Sequence, residues 1–362
     1  MRSLGMKLVV FAAVAMLTAP VFAQTDTYGA KADVVMEIHP SKIIDSPLGK
    51  KMEFAKKLAE MSADPAPGQP DLSKLVRVFA GLVAPENVEK MEEIQEGQQN
   101  DMKFFVRLEF STAEAAKQVI AEAMNNNVGK TEKNGRTYYQ VPDGQEGAEQ
   151  GFPTGTVMYQ VNEKVVELAS KEFAYRSDTD SPMTDRLATA WKAMPNKALK
   201  ISVDGVNARG LMKSLAEDGK KTVGGNPIAG AILDLFPTMD NINLSVDLAS
   251  ANLLTLQMAG SDKDKSVDIH DAFKALMTLV KPGAKQGIDA FIGPQAPEAA
   301  AVLGKLVSGM DVTQEGNNVA LNIPRPDGFE DATVEVIPVI QMIIVQMALQ
   351  GMGGGAPPAS GF

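Results

Sequence analysis

Phe104-Phe105-Val106-Arg107-Leu108-Glu109-Phe110-Ser111-Thr112-Ala113-Glu114 and Leu254-Thr255-Leu256-Gln257-Met258-Ala259-Gly260-Ser261-Asp262-Lys263-Asp264 lie 150 residues apart and carry one pattern. Each alternates apolar and polar residues over the length of a strand, which is the mark of a half-buried β-strand. Each then reaches a Ser with an acid three positions on, Ser111 with Glu114 and Ser261 with Asp264. That spacing fits a helix N-cap with an acid at the third helical position. Both stretches therefore read as a strand running into a capped helix.

The match extends outward from these stretches. Val34–Ile38 and a helix begun by Ser46-Pro47 correspond to Leu199–Val203 and a helix near Leu211. Leu72–Val83, whose Leu72, Leu75, Val76, Phe79, Leu82 and Val83 form a wide stripe at helical spacing, corresponds to a helix over Ile228–Phe236. A strand near Val88–Gln95 corresponds to Ile242–Leu248. The run Thr131–Pro142, with the hairpin signal Asn134-Gly135, corresponds to Thr313–Pro324. The expected fold is α+β, a duplicated β-α-α-β-β-α-β-β unit. Two mainly antiparallel sheets, or one continuous sheet, would carry helices on one face, because the strands have one dry and one wet side.

The expected organisation is a signal peptide over 1–23, an N-terminal linker over 24–32, and a first repeat over 33–197. That repeat adds a Gly-rich loop at Asp143–Gly155, a hairpin over Val157–Ala169, and a helix holding Leu187, Trp191 and Met194. The second repeat spans 198–329, an apolar helix 330–350, and a Gly/Pro tail 351–362. Ala63–Pro70 reads as a Pro-rich connection. Asp180-Ser181-Pro182, like Asp45-Ser46-Pro47, reads as a helix start.

The N-terminus carries Arg2 and Lys7, an apolar run Leu8–Leu17, and Val21-Phe22-Ala23 as a small-residue cleavage site. This is the pattern of a secretory signal, with cleavage expected near Ala23 and a periplasmic or extracellular destination. Cleavage would remove two basic residues and no acids, taking the formal charge from -10 to -12. An acidic chain of this kind is unsuited to nucleic acid, which needs clustered Lys and Arg. There is no cysteine, which excludes disulfides, thiolate catalysis and thiolate metal sites. With 44% apolar residues, 20 Met and one Trp, the chain has the composition of a globular protein held by its core.

Motifs that would carry chemistry are weak. Gly129-Lys130-Thr131 resembles the end of a phosphate loop but has Met124 where the pattern needs Gly, and it precedes a hairpin. Gly205–Gly210 lacks the Lys and hydroxyl residue. His39 and His270 are the only histidines, and neither has a recognisable catalytic partner. Asp178, Asp180 and Asp185 form an acidic cluster without the spacing of a Ca²⁺ loop. No catalytic, cofactor-binding or metal-ligating residue is assigned, and no cofactor. Val334–Leu349 is the most hydrophobic stretch after the N-terminus. Glu335, Pro338, Gln341 and Gln346 interrupt it, and it is short for a membrane span. It reads as a buried helix covering the dry face of the sheet, or as a helix offered to a partner, a membrane or an apolar ligand.

The ordering resembles a group of uncharacterised exported bacterial proteins in which Ile38-His39-Pro40-Ser41-Lys42-Ile43-Ile44-Asp45-Ser46-Pro47-Leu48 opens a duplicated α+β unit. The resemblance implies no activity, cofactor or site. The functional expectation is a non-enzymatic exported structural or binding protein. The alternatives are a carrier of a lipid or other apolar ligand, and a hydrolase working with Asp and Glu alone. The expected partner is a protein or an apolar ligand.

Overall fold

A twelve-stranded antiparallel sheet forms the spine of the protein. The structure is a computed structural model, and it describes residues 30–62, 72–84, 103–125, 129–133, 135–140, 155–176, 181–222 and 227–352. The strands are β1 (Val34–Ile38), β2 (Leu75–Leu82), β3 (Phe104–Phe110), β4 (Gly129–Lys133), β5 (Arg136–Gln140), β6 (Thr156–Asn162), β7 (Val165–Ser170), β8 (Leu199–Asp204), β9 (Met239–Val246), β10 (Asn252–Gly260), β11 (Asp311–Glu315) and β12 (Asn318–Pro324). The helices are α1 (Pro40–Ile44), α2 (Pro47–Lys51), α3 (Phe54–Ser62), α4 (Ala113–Asn125), α5 (Lys171–Ala174), α6 (Asp185–Ala193), α7 (Arg209–Thr222), α8 (Pro227–Leu235), α9 (Lys263–Gly287), α10 (Pro297–Gly309) and α11 (Phe329–Met352).

Strand β1 pairs with β8 at the middle, with Val34 opposite Val203, Met36 opposite Ile201 and Ile38 opposite Leu199. Outward from this seam the order is β2, β3, β7, β6, β5, β4 on one side and β9, β10, β12, β11 on the other. The two halves differ by the β6–β7 hairpin, which lies between β3 and β5 where the second half pairs β10 directly with β12. Both sheet edges, β4 and β11, are five residues long and mostly exposed.

One face is covered by helices along both halves. Val78, Ala80, Leu82, Val106, Leu108 and Phe110 pack against Ala116, Val119 and Ile120 of α4. Met239, Met258, Val319 and Leu321 pack against Ile232 of α8 and Ile269 and Phe273 of α9. Each Val, Leu, Ile, Met or Phe among them contributes about 1.5–3 kcal/mol on removal from water. This is the expected α+β arrangement, in its single-sheet form. On the opposite face the first half gains its own cover: Val35, Phe79, Phe105, Tyr138 and Tyr159 lie under Phe173 of α5 and Leu187 and Trp191 of α6. Gly81 sits beneath this aromatic layer, where an added Cβ would come within 2.5 Å of the Phe105 ring.

This second layer accounts for one correction. Leu75–Leu82 is a strand, not a helix. Val78, Ala80 and Leu82 enter one core and Phe79 the other, so no wet face marks the period. An apolar run buried on both sides does not reveal its structure by spacing. In sheet position β2 therefore corresponds to β9, and α7 and α8 fill the connection from β8 to β9 as α1, α2 and α3 fill that from β1 to β2. The expected strand near Val88–Gln95 lies outside the described residues. So do the signal segment, Ala63–Pro70, most of Asp143–Gly155, and the tail from 353 onward.

The helix starts shift slightly. Ser46 caps α2 as expected, accepting from the Gly49 N–H at 2.9 Å. The caps of α4 and α9 fall one residue later than expected in both halves: Thr112 accepts from Ala115 and Asp262 from Lys265. Both replacements have an acceptor side chain able to reach an N3 amide. Ser181-Pro182 does not open α6; Thr184 does, accepting from Leu187, while the Pro182 carbonyl accepts from Ala32.

Helix α11 packs its Ala332, Val336 and Val339 against Ala296 and Ala299 beside α10. The described part thus covers α10 rather than the sheet, and it leaves Val334, Ile340 and Met342 exposed. No helix among the described residues is long and apolar enough to cross a membrane.

The inserted hairpin brings one fully buried charge. Glu167 has no exposed side-chain surface and accepts from Arg107 at 2.7 Å, Arg176 at 2.8 Å and the Tyr159 hydroxyl at 2.6 Å. Burial pushes its carboxyl up, but Arg176, Arg107 and Tyr159 outweigh burial and hold it below the ordinary 4.5. Burial and the Glu167 charge push the Tyr159 phenol far up. A carboxyl depressed in the folded state stabilises above its unfolded value, and that stability is lost as pH falls through the folded value. Replacing Glu167 by Gln leaves two guanidiniums without their counter-charge and should cost about 3–5 kcal/mol. Urea titrations at pH 7 measure this loss, and the variant should lose less further stability than the parent on acidification below pH 4.5.

Candidate functional site

Register places one set of side chains on the face opposite α4, α8 and α9. Across the seam, Glu37 stands opposite Lys200, Lys200 opposite Ser245, Ser245 opposite Thr255, Thr255 opposite Asn322 and Asn322 opposite Asp311. The neighbouring row reads Ser202, Asn243, Gln257, Ala320, Thr313. Among the described helices, α5 and α6 pack on this face, α6 over Val35 and Phe79 through Leu187 and Trp191 and also beside β8 and β9. Beyond them no described helix covers the second half, where Asn243, Thr255, Gln257 and Asn322 are partly or fully exposed and Ser245 is buried between them.

The seam end is ionic. The Glu37 carboxylate is 3.1 Å from Lys200 Nζ, 3.3 Å from Arg77 and 3.4 Å from His39 Nε2. Arg77 also holds Glu109 at 2.7 Å, and Lys200 lies 4.0 Å from the Trp191 ring centroid, within cation–π range. Burial raises the Glu37 carboxyl, but Lys200, His39 and Arg77 bring it below its ordinary value. His39 falls the other way: burial lowers its pKa more than Glu37 raises it.

Next to this cluster lies an open cleft of about 280 Å³, lined by Met194, Lys197, Asn243, Asp247, Thr255 and Gln257 among others. Lys197 pairs with Asp247 at 2.9 Å on its rim. Burial raises the Asp247 carboxyl, while Lys197 and the Ala249 N–H outweigh burial and depress it. Ser202 donates to Asn243 at 2.5 Å and Thr255 to Asn322 at 3.0 Å. The amides therefore keep further donors and acceptors for a ligand.

This arrangement suits binding better than acid–base catalysis. A general acid needs a carboxyl held protonated near the working pH. Glu37, Glu167 and Asp247 are all pushed the opposite way by fixed cations or amides. Among the described residues no three His, Asp or Glu side chains gather as a metal site.

The sequence candidates scatter. His39 occupies the N-cap position of α1 without a side-chain capping bond and joins the seam cluster through Glu37. His270 stands on α9 beside Asp271 at 2.9 Å. Asp185 opens α6 and pairs with Lys31, while Asp178 and Asp180 lie outside the described residues. Gly129-Lys130-Thr131 is edge strand β4 and opens no helix. Reading along the chain missed the seam cluster because Glu37, Arg77, Glu109 and Lys200 come from four strands. It also treated Lys200, Ser202 and Asp204 as wet-face residues. They are 6%, 0% and 1% exposed, satisfied by Glu37, Asn243 and Thr184.

The two shifted groups predict an acid limb in two parts. The folded state resists protonation of His39, so stability should decline as pH falls below the ordinary histidine value of 6.5. Glu37 has a depressed carboxyl, so its contribution should fade later, below 4.5. Unfolding free energies measured from pH 8 to pH 4 should show a His39→Gln variant flatter than the parent in the upper part and parallel to it in the lower.

No protein-family model matches the chain, and no curated protein matches it. Among solved structures, crystal form III of TP0453 is similar at 12% identity and a TM-score of 0.35, covering 87% of this chain and all of that one. Crystal form I aligns at 11% identity and 0.36, over 86% and 97% of the two chains. Crystal form IV aligns at 10% and 0.33, over 86% and 96%. Likeness of this degree carries no residue or role across.

Proposed function

We propose that this is a non-enzymatic exported binding protein whose partner engages the uncovered polar face of β9, β10 and β12. The observation that carries the reading is the contrast between the halves. α5 and α6 cover the first half of this face with an aromatic layer. The second half leaves Asn243, Thr255, Gln257 and Asn322 on strands that are rigidly paired on both sides. Polar groups fixed on strands are preorganised for recognition and lose little freedom on binding. Export rests on the signal pattern over residues 1–23, and the two halves are read as repeats on the strand order outward from the seam.

A second reading, a carrier of an apolar ligand, draws on Leu279, Val280 and Phe291, exposed near the end of α9 and the π-helical turn that follows it, and on Ile340 and Met342 of α11. Neither the cleft beside Lys197 nor the open depression lined by Ala113, Lys117 and Gln160 is an enclosed apolar cavity, which is what such a ligand requires.

Sedimentation of the purified full chain with isolated cell-envelope material separates the two readings. The parent should co-sediment, a Thr255→Ala/Gln257→Ala variant should stay in solution, and a Leu279→Ser/Phe291→Ser variant should behave as the parent. Retention lost only by the second variant favours the carrier. A hydrolytic turnover abolished by one substitution overturns the non-enzymatic reading.

A further inference from the structure

From the chemistry of this same uncovered face we infer the class of its occupant: a neutral, hydroxyl-rich polysaccharide lying across the strands. The inference rests on the binding reading above and adds the identity of the ligand class.

Charge is the first argument. The ions beside the face are already compensated, Lys197 by Asp247 and Lys200 by Glu37. The rows that cross β9, β10 and β12 contain no Lys, Arg, Asp or Glu until Asp311 and Glu315 at the far edge. A polyanion would find no cation on these rows beyond the paired Lys200 and would meet a chain of net charge -10. A cationic peptide would find no carboxylate on these rows before the edge strand.

Polarity is the second. Ser245, Asn243, Thr255, Gln257, Asn322 and Thr313 leave Ala320 as the one apolar side chain in the two rows. An acyl chain or apolar peptide gains nothing by covering them, because burial without matched hydrogen bonds costs free energy. Each amide offers donors and acceptors together, and each hydroxyl can do either. Sugar hydroxyls have this same dual character. Met194, largely buried in the cleft wall, adds an apolar edge beside which the C–H face of a pyranose ring can lie.

Spacing is the third. Neighbouring strands lie about 4.8 Å apart, so the rows present a polar group at a repeat commensurate with successive residues of an extended glycan. At the near end of the face, Asn241 is 8% exposed, and neither its Nδ2 nor its Oδ1 has a hydrogen-bond partner among the described residues. A buried amide in that condition lacks the partners that burial demands. Its register position, opposite Asp204 and two residues from Asn243, places it on this face.

Affinity electrophoresis of the full chain tests the inference, with gels containing dextran, laminarin or glucomannan as neutral polymers, alginate as the anionic one, and no polymer. At least one neutral polymer should retard the parent, and alginate should not. Asn243→Ala/Gln257→Ala should weaken that retardation about tenfold or more, the equivalent of two lost hydrogen bonds, and Gln257→Ala alone, at an exposed side chain, should weaken it with an unchanged circular-dichroism melt. Trp191 is the only tryptophan and lies on α6 close to Met194, so its emission should shift with the retarding polymer and not with alginate. Retardation equal in alginate, or equal in the variant, overturns the inference. No retardation by any neutral polymer, together with envelope sedimentation that still depends on Thr255 and Gln257, overturns the glycan and leaves the face as a binding surface. Sedimentation that ignores those residues overturns both.

Discussion

The pairing of β1 with β8 is the constraint on which the rest of the molecule depends. The twelve strands would otherwise end in two separate sheets with four edges. The seam joins them into one sheet with two, and it is held by more than its ladder. Glu37 and Lys200 face each other across it with both side chains less than a tenth exposed, and Arg77 and His39 approach the same carboxylate. A charge buried this far is tolerated only when it is paired and hydrogen-bonded. Register follows, because slipping by one residue would carry Glu37 into the apolar layer formed by Met36, Val78 and Val106.

The inserted β6–β7 hairpin is the second organising element. It widens the first half by two strands and brings α5 and α6 over the opposite face. Glu167 on β7 anchors it through Arg107 of β3 and Arg176 just after α5. The chain Trp191–Phe79–Phe105–Phe173, with ring centroids 5.2–5.7 Å apart, then seals that half. One half becomes a sandwich of three layers and the other remains two layers deep, so the same strand order yields a closed surface and an open one.

How much of this was legible in the sequence depended on whether a strand had a wet side. β3, β9, β10 and β12 show their alternation because one face meets solvent or a polar layer, and Gly135 with φ 74° confirms the hairpin signal before Arg136. β2 was misread as a helix because both its faces are dry. The seam was not legible at all. Val34 and Val203 are far apart in the chain, and no local pattern encodes which outer strand a half will offer to the other. The hydroxyls and amides of the open face were visible as polar positions. That no described helix covers them while the first half lies under α5 and α6 emerges only in three dimensions.

The two sheet edges have a consequence for how this protein survives at high local concentration. A sheet of twelve strands ending in long, flat, apolar edges would template its own polymerisation. Here β4 carries Lys130, Glu132 and Lys133, and β11 carries Asp311 and Glu315, each over only five residues. Short charged edges of this kind discourage strand addition by another chain. The molecule can therefore hold a broad, rigid platform open to its surroundings without that breadth becoming a route to fibrils.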